Sequence, residues 1–170
     1  MRLATHIVTG FLASFNAYFF MKSLAGLEDL IVASLLGLLG AAVNVLIDAL
    51  GHERRGRVPR RSWTHSLVGI LVLVLPIVYV ANVVLGYVGL KVYRTVVVVS
   101  LFFSALTHLL LDAFTERGLP LLWPFSRRRF ALAHLDYDNL PANLLAIIAY
   151  TLPLIKPLEQ VIRWLELYAH

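Results

Sequence analysis

The stretch THLLLDAFTERG, residues 107–118, places one histidine and one aspartate in an otherwise apolar run. His108 and Asp112 are four residues apart, so in a helix they share a face, with Cβ atoms about 5–6 Å apart. An aspartate at the centre of a membrane-spanning helix costs roughly 2.5–3.5 kcal/mol, and less toward the ends. Neutral imidazole and carboxylate are ligands that zinc and related divalent ions accept. The pair is therefore predicted to bind one metal ion or two adjacent ions.

Three further candidate ligands, His6, Asp48 and His65, lie at the ends of apolar stretches. Asp48 is four residues before His52, so these two also share a face if the helix continues through Gly51. A histidine at a helix end can equally bond to headgroups or to the backbone. The metal interpretation depends on the convergence of these residues at one end of the molecule.

Two possible ligands, His134 and Asp138, lie in the loop before the last apolar stretch. Asp138 has a second interpretation as a helix cap ahead of Pro141, and His134 as a surface loop residue. The chain contains no cysteine, so thiolate metal sites and disulfides are excluded. A metal ion would have to be bound by histidine, carboxylate and backbone groups.

The composition indicates a membrane protein. Of the 170 residues, 59% are hydrophobic and 15% charged, with a mean hydropathy of +0.79, whereas soluble domains hold about 25% charged residues. The length suits one integral membrane domain, residues 1–170. We predict an all-α, polytopic membrane protein with four to five transmembrane helices plus a C-terminal amphipathic helix. The predicted spans are about 4–22, 30–48, 67–90, 95–115 and 140–155, and the interfacial helix is about 157–168.

Positive charge predicts the orientation of these helices. Ten of the fifteen lysines and arginines lie at the N-terminus or in two loops, after the second and fourth stretches: Arg2, Arg54, Arg55, Arg57, Arg60, Arg61, Arg117, Arg127, Arg128 and Arg129. The opposite loops contain Lys22, Lys91 and Arg94. The positive-inside rule therefore predicts a multi-pass protein of the cell (inner) membrane, with the N-terminus and both basic loops in the cytoplasm. The histidines other than His170 would then lie near the cytoplasmic interface.

The arginine clusters have two interpretations. They can act as topology signals beside anionic headgroups, or they can bind a phosphate bidentately. In the second case the predicted anion-binding residues are Arg60, Arg61, Arg127, Arg128 and Arg129. The expected partners are membrane lipids and an anionic, phosphate-containing substrate, and no nucleic acid partner is predicted.

Two longer motifs, RRSWTHSL (60–67) and THLLLDAFTERGLPLLWPF (107–125), resemble the YdjM-like family of inner-membrane metal-dependent hydrolases and its archaeal relatives of unknown function. The family pattern has an early histidine, an aspartate ending the second helix, THS after a basic loop, and HxxxD leading to T..G...L.PF. The matching residues here are His6, Asp48, Thr64, His65, Ser66, His108, Asp112, Thr115, Gly118, Leu122, Pro124 and Phe125. The YdjM-like proteins are in turn distantly similar to zinc phospholipases C and single-strand nucleases.

Two departures from the family pattern concern the site. Typical members have PDxD near the end of the second helix, where this chain has VLIDALGHE with one aspartate. They also often have HRGxTHS, and here Arg60 stands where the first histidine would be. Either the site binds fewer ions, or Asn44 and His52 replace missing ligands, or the site is degenerate.

The residues and the resemblance together predict a membrane-embedded hydrolase that uses a divalent metal, with zinc as the expected ion. The expected ligands are His6, Asp48, His65, His108 and Asp112, and Asp48 or Asp112 would serve as the catalytic base that orients the attacking water. Thr64 and Thr107 precede two ligands and would fix them by hydrogen bonds. The substrate expected from the resemblance is a phosphoester, such as a lipid headgroup.

Two other functions use the same residues. An ion or small-solute transporter should carry polar groups near the bilayer midplane and on both sides, whereas the third stretch is almost entirely apolar. A non-enzymatic scaffold with a degenerate metal site would use histidine and aspartate only for hydrogen bonds between helices. Bound metal distinguishes the enzyme from the scaffold.

Overall fold

The computed structural model describes residues 1–22, 26–53 and 60–168 and confirms the predicted all-helical membrane fold. In chain order its helices are α1 (Leu3–Met21), α2 (Leu27–Gly51), α3 (Leu67–Tyr87), α4 (Arg94–Ala113), α5 (Leu140–Thr151) and α6 (Ile155–Tyr168). Short 3-10 turns occupy Trp63–His65, Lys91–Tyr93 and Leu152–Leu154. A two-residue antiparallel pairing joins β1 (His52–Glu53) to β2 (Arg60–Arg61).

Five helical stretches among the described residues are long and apolar enough to cross a membrane. The last of them, Leu140–Leu167, combines α5, the 3-10 turn and α6. Within this stretch α5 ends at Thr151 and α6 begins at Ile155, whereas the fifth span was predicted to end at about 155 and the interfacial helix to begin at about 157. The break lies earlier, at the 3-10 turn that contains Pro153, whose ring nitrogen cannot donate a helical hydrogen bond.

The starts of α3 and α5 are capped by side chains. Ser66 Oγ accepts a hydrogen bond from the backbone N–H of Gly69 at 3.0 Å. Asn139 Oδ1 accepts one from Ala142 N–H at 2.9 Å, so the cap of α5 is Asn139 rather than Asp138. Each cap satisfies a backbone donor that has no partner inside its own helix.

Helices α1, α2 and α4 pack closely because small residues line their interface. A Cβ atom on Gly10 would overlap the amide group of Asn44, and one on Gly40 would overlap the hydroxyl of Ser14. Ser104 Oγ bridges α4 to both neighbours, at 3.1 Å from the carbonyls of Gly10 and Gly40. Small residues and interhelical hydrogen bonds are typical of helix packing in membranes. This packing brings the N-terminal end of α1 beside the C-terminal ends of α2 and α4.

A polar cluster that the sequence analysis did not predict lies at the opposite end of the same three helices. The buried carboxylate of Asp29 accepts hydrogen bonds from the Tyr18 hydroxyl and from Lys22 Nζ, the latter at 2.6 Å. Lys22 Nζ also donates to Tyr93 Oη at 3.1 Å, and Tyr93 donates to Glu28 at 2.7 Å. The predicted second span, 30–48, began just after Asp29 and so excluded it.

The loop between α4 and α5 folds back against the end of the bundle. Leu119 and Phe130 exchange backbone hydrogen bonds of 2.9 and 2.8 Å, and Gly118 adopts a positive φ of 53° beside them. Leu121 accepts a hydrogen bond from the backbone N–H of Leu67 at 3.1 Å. The loop thereby fixes the start of α3, which follows a candidate ligand, His65.

Candidate metal centre

Four of the five expected ligands come together in one group: Asp48 on α2, His65 in the 3-10 turn before α3, and His108 and Asp112 on α4. One ligand atom from each residue lies within 4.8 Å of the other three. We refer to these four residues as the Asp/His group. The packing of α2 against the turn before α3 and against α4, together with the four-residue spacing on α4, produces this convergence.

The distances within the Asp/His group suit a tetrahedral ion. His65 Nε2 lies 3.4 Å from both Asp48 Oδ1 and Asp112 Oδ2, and His108 Nε2 lies 3.6 Å from the same two oxygens. Four ligands at zinc-to-ligand distances of about 2.1 Å in a tetrahedron would be separated by roughly 3.4 Å. Two imidazole nitrogens and two carboxylate oxygens are also a donor set that zinc accepts.

Burial gives a second test of this fit. The side chains of His65 and His108 are fully buried, that of Asp112 is 1% exposed, and that of Asp48 is 12% exposed. Neither ring nitrogen of His108 makes a hydrogen bond within the described residues. A buried polar atom without a partner is costly and requires an explanation. A cation bound to Nε2 would supply the partner of one of these nitrogens.

Thr64 and Gly51 fix the orientation of His65. Thr64 Oγ1 donates to the carbonyl of Ile47 at 2.9 Å and lies 3.2 Å from His65 Nδ1, so it can accept the Nδ1 proton and leave Nε2 directed at the two carboxylates. A Cβ atom on Gly51 would overlap the Thr64 hydroxyl and lie 2.5 Å from His65 Cε1. Helix α2 continues through Gly51, and this glycine is a site residue that the sequence analysis missed.

His6, the fifth expected ligand, lies beside the Asp/His group. Its Nε2 is 3.1 Å from Asp112 Oδ1, and its ring stacks on that of His108 with centroids 4.0 Å apart. The amino group of Met1 donates to the same Asp112 oxygen at 3.0 Å. Asp112 therefore presents Oδ2 to His65 and His108 and Oδ1 to His6 and Met1.

Asn44 and Thr107 make contacts other than those expected from the sequence. Asn44, considered as a replacement ligand, donates from Nδ2 to the backbone carbonyl of His6 at 2.7 Å and so fixes α1. Thr107, expected to fix a ligand, accepts a hydrogen bond from the Tyr150 hydroxyl at 3.1 Å and connects α4 to α5. Thr64 makes the contact with a ligand that was expected of both threonines.

The remaining candidates lie outside the group. His134 and Asp138 are exposed in the loop before α5, and neither is part of the Asp/His group. Arg127 and Arg128 are exposed, and Arg129 donates from Nε and Nη2 to the carbonyls of Arg117 and Gly118. Residues 54–59 and the side chains of His52, Arg60 and Arg61 lie outside the described part of the chain, so their expected roles stay predictions.

Comparison with known proteins gives one family. A family model described as YdjM inner membrane protein matches residues 1–169. No curated protein and no solved structure matches the chain. The match extends over the whole Asp/His group and both basic loops.

Proposed function

The chain belongs to the YdjM inner membrane protein family, and we propose that it is a membrane-embedded, metal-dependent hydrolase acting on a phosphoester. Asp48, His65, His108 and Asp112 would bind the ion, and zinc is an ion that this donor set accepts. The observation that carries the proposal is the separation of 3.4–3.6 Å between imidazole nitrogens and carboxylate oxygens in a buried group.

A bound zinc ion would supply Lewis acidity toward the phosphoester and toward the attacking water. The side chains of the group supply the remaining chemistry. Asp48 is the most exposed of the four, at 12%, so it is the carboxylate that a water molecule and a substrate can reach. Four protein ligands would leave no open position for a water molecule, so Asp48 would have to release the ion and would then accept the proton of the attacking water, while the buried Asp112, oriented by His6, would stay bound.

The location of the group supports a headgroup-like substrate. The Asp/His group lies at the helix ends that adjoin the basic loops, which the positive-inside rule assigns to the cytoplasm. Arg127 and Arg128 are exposed in the loop after α4 and can pair with a phosphate. A phosphate in the headgroup layer therefore meets both positive charge and a metal centre at one depth.

Elemental analysis of protein purified without a polyhistidine tag tests the proposal. The wild type should carry divalent metal in stoichiometric amount and hydrolyse a fluorogenic phospholipid or phosphodiester. His108→Ala and Asp112→Asn should lose metal and activity together. The matched control Asp136→Asn changes an exposed loop carboxylate and should retain both. A metal-free wild type, or activity that survives in both site variants, would overturn the proposal.

A second candidate function, ion transport, is supported by one observation. A second buried carboxylate, Asp29, lies at the other end of α1, α2 and α4, and Ser14, Asn44 and Ser104 are buried between the two ends. A transporter needs polar groups on both sides and near the midplane. Ion flux in proteoliposomes that is abolished by both Asp112→Asn and Asp29→Asn would favour transport over hydrolysis.

A further inference from the structure

Helix α6 carries two exposed stripes of side chains along its length. The apolar stripe consists of residues spaced by three, four and three positions: Ile155, Leu158, Ile162 and Leu165. The charged stripe has the same spacing and begins one residue later: Lys156, Glu159, Arg163 and Glu166. All of these side chains are exposed. With about 100° of rotation per residue, the two stripes lie side by side on the face of α6 that points away from the protein.

Helix α5 runs beside α1 in the same direction. Near the starts of both helices, Thr5 Oγ1 donates to Asn143 Oδ1 at 2.6 Å. Farther along both, Asn16 Nδ2 donates to the carbonyl of Tyr150 at 2.8 Å. Helices α1 and α5 therefore end at the same end of the bundle, opposite to the Asp/His group, and α6 starts from there.

Helix α6 begins level with the last turn of α1. Ile155 lines one cavity together with Phe19 and Phe20, which belong to that last turn. The stretch Leu140–Leu167 has 28 residues. As a straight helix it would be about 42 Å long, whereas the hydrocarbon core of a membrane is about 30 Å thick. An orientation of α6 along the membrane plane keeps its exposed apolar stripe in contact with lipid, as in interfacial amphipathic helices.

The charged stripe is self-complementary. Its signs alternate along the helix, positive at Lys156 and Arg163 and negative at Glu159 and Glu166. An antiparallel pair of α6 helices can place Lys156 opposite Glu166 of the second copy. The same alignment places Glu159 opposite Arg163, because both pairs are centred on one point of the helix. Twofold symmetry repeats each contact, so four opposite-charge contacts form, whereas a parallel pair would place each charge opposite its own copy.

We propose that the charged stripe of α6 binds the same stripe of a second copy of this chain, in an antiparallel pair along the membrane plane. Two copies inserted with the same orientation are related by a twofold axis along the membrane normal. Such an axis makes two helices antiparallel when they lie in the membrane plane.

The charges determine the alignment of the two copies. Within one chain, Arg163 lies 4.0 Å from Glu159, and the two side chains are 69% and 61% exposed. An exposed pair of this kind contributes little to stability, so the stripe is open to a second copy. Confinement of both copies to one bilayer raises their effective concentration, and opposite charges then select the antiparallel arrangement. This interface is separate from the metal centre, which lies at the other end of the bundle.

An exchange of charges within α6 tests the pairing. The full chain in a maltoside detergent should show a monomer–dimer equilibrium in sedimentation equilibrium. Glu159→Arg replaces two opposite-charge contacts with two like-charge contacts and should weaken dimerisation about tenfold or more. The double variant Glu159→Arg with Arg163→Glu restores opposite charges at both contacts and should dimerise at least as well as the wild type. Glu116→Arg is the matched control, because it makes the same change at an exposed carboxylate in the loop after α4.

Three results would overturn the proposal. The first is a wild type that stays monomeric in detergent and in phosphatidylcholine liposomes. The second is a dimer that Glu159→Arg weakens no more than Glu116→Arg does. The third is a double variant that associates as weakly as Glu159→Arg alone.

Disulfide cross-linking tests the antiparallel orientation, and the chain has no cysteine of its own to interfere. Lys156→Cys and Glu166→Cys are produced together in one membrane and oxidised, and the products are identified by mass. The introduced thiols at positions 156 and 166 should link the two different chains, because these positions face each other. Two thiols at position 156 would lie about 15 Å apart, too far for a disulfide. Linkage of Lys156→Cys chains to one another, or no linkage at all, would contradict the antiparallel pair.

Discussion

The imidazole rings of His6 and His108 stack with their centroids 4.0 Å apart and an interplanar angle of 21°. His6 contacts Asp112 at the carboxylate oxygen that faces away from His65, at 3.1 Å. His6 therefore orients a ligand and packs on a second one, while the Asp/His group is formed without it. The distinction between a ligand and an orienting residue can be measured.

His6→Phe retains a ring that can stack on His108 but removes the contact to Asp112. We expect the metal affinity to fall about 10- to 100-fold, the usual effect of losing a partner of a metal ligand, with unchanged stoichiometry at saturation. His65→Phe removes a ligand itself and should abolish stoichiometric binding. Competition titrations with a zinc chelator measure both effects. Complete loss of metal in His6→Phe would instead make His6 a ligand.

Gly51→Ala should disturb the metal centre although residue 51 offers no ligand atom. The added methyl group would overlap the Thr64 hydroxyl and lie 2.5 Å from His65 Cε1, so the turn that carries His65 has to shift. Overpacking of this kind costs roughly 1–3 kcal/mol. Gly26→Ala is the control, because no atom lies within 4 Å of its Cβ position. The midpoint of thermal unfolding and the metal content should both fall in Gly51→Ala. An unchanged metal content would show that the turn can move without affecting the site.

Thr64→Val removes the hydroxyl that bonds to the Ile47 carbonyl and contacts His65 Nδ1. The ring of His65 then loses the group that fixes its orientation, and we expect about 10- to 100-fold weaker metal binding. Thr64→Ser retains the hydroxyl and should bind metal nearly as the wild type does. Competition titrations with a zinc chelator separate the two variants, and equally weak metal binding in both would contradict a specific role of the hydroxyl.

The residues of the Asp/His group could be identified from the sequence because each is a polar group of ligand type at the end of an apolar stretch. Successive membrane-spanning helices run antiparallel, so every second helix end lies on the same side of the membrane. The convergence of these residues could therefore be predicted as well. The role of Asn44 could not be predicted, because it depends on the close approach of α1 at Gly10. Asp29 was missed for a different reason: as a charged residue it was placed outside the predicted span, whereas hydrogen bonds from Tyr18 and Lys22 allow its burial.

Lys22→Met should destabilise the end of the bundle opposite to the metal centre. It removes the ammonium that donates to the buried carboxylate of Asp29 at 2.6 Å, and we expect a loss of about 1–3 kcal/mol. Lys91→Met removes an exposed cation and serves as the control.

The hydrogen bond to Asp29 raises the pKa of Lys22 above its ordinary value of 10.5, against the lowering effect of burial. The stabilisation by Lys22 is therefore fully present below the ordinary lysine pKa and is lost only as the pH rises through the raised value. The difference in thermal midpoint between the wild type and Lys22→Met should stay constant between about pH 6 and 9. A difference in thermal midpoint that shrinks within this range would show that another titrating group carries the stabilisation. The metal content of Lys22→Met and of Lys91→Met should equal that of the wild type.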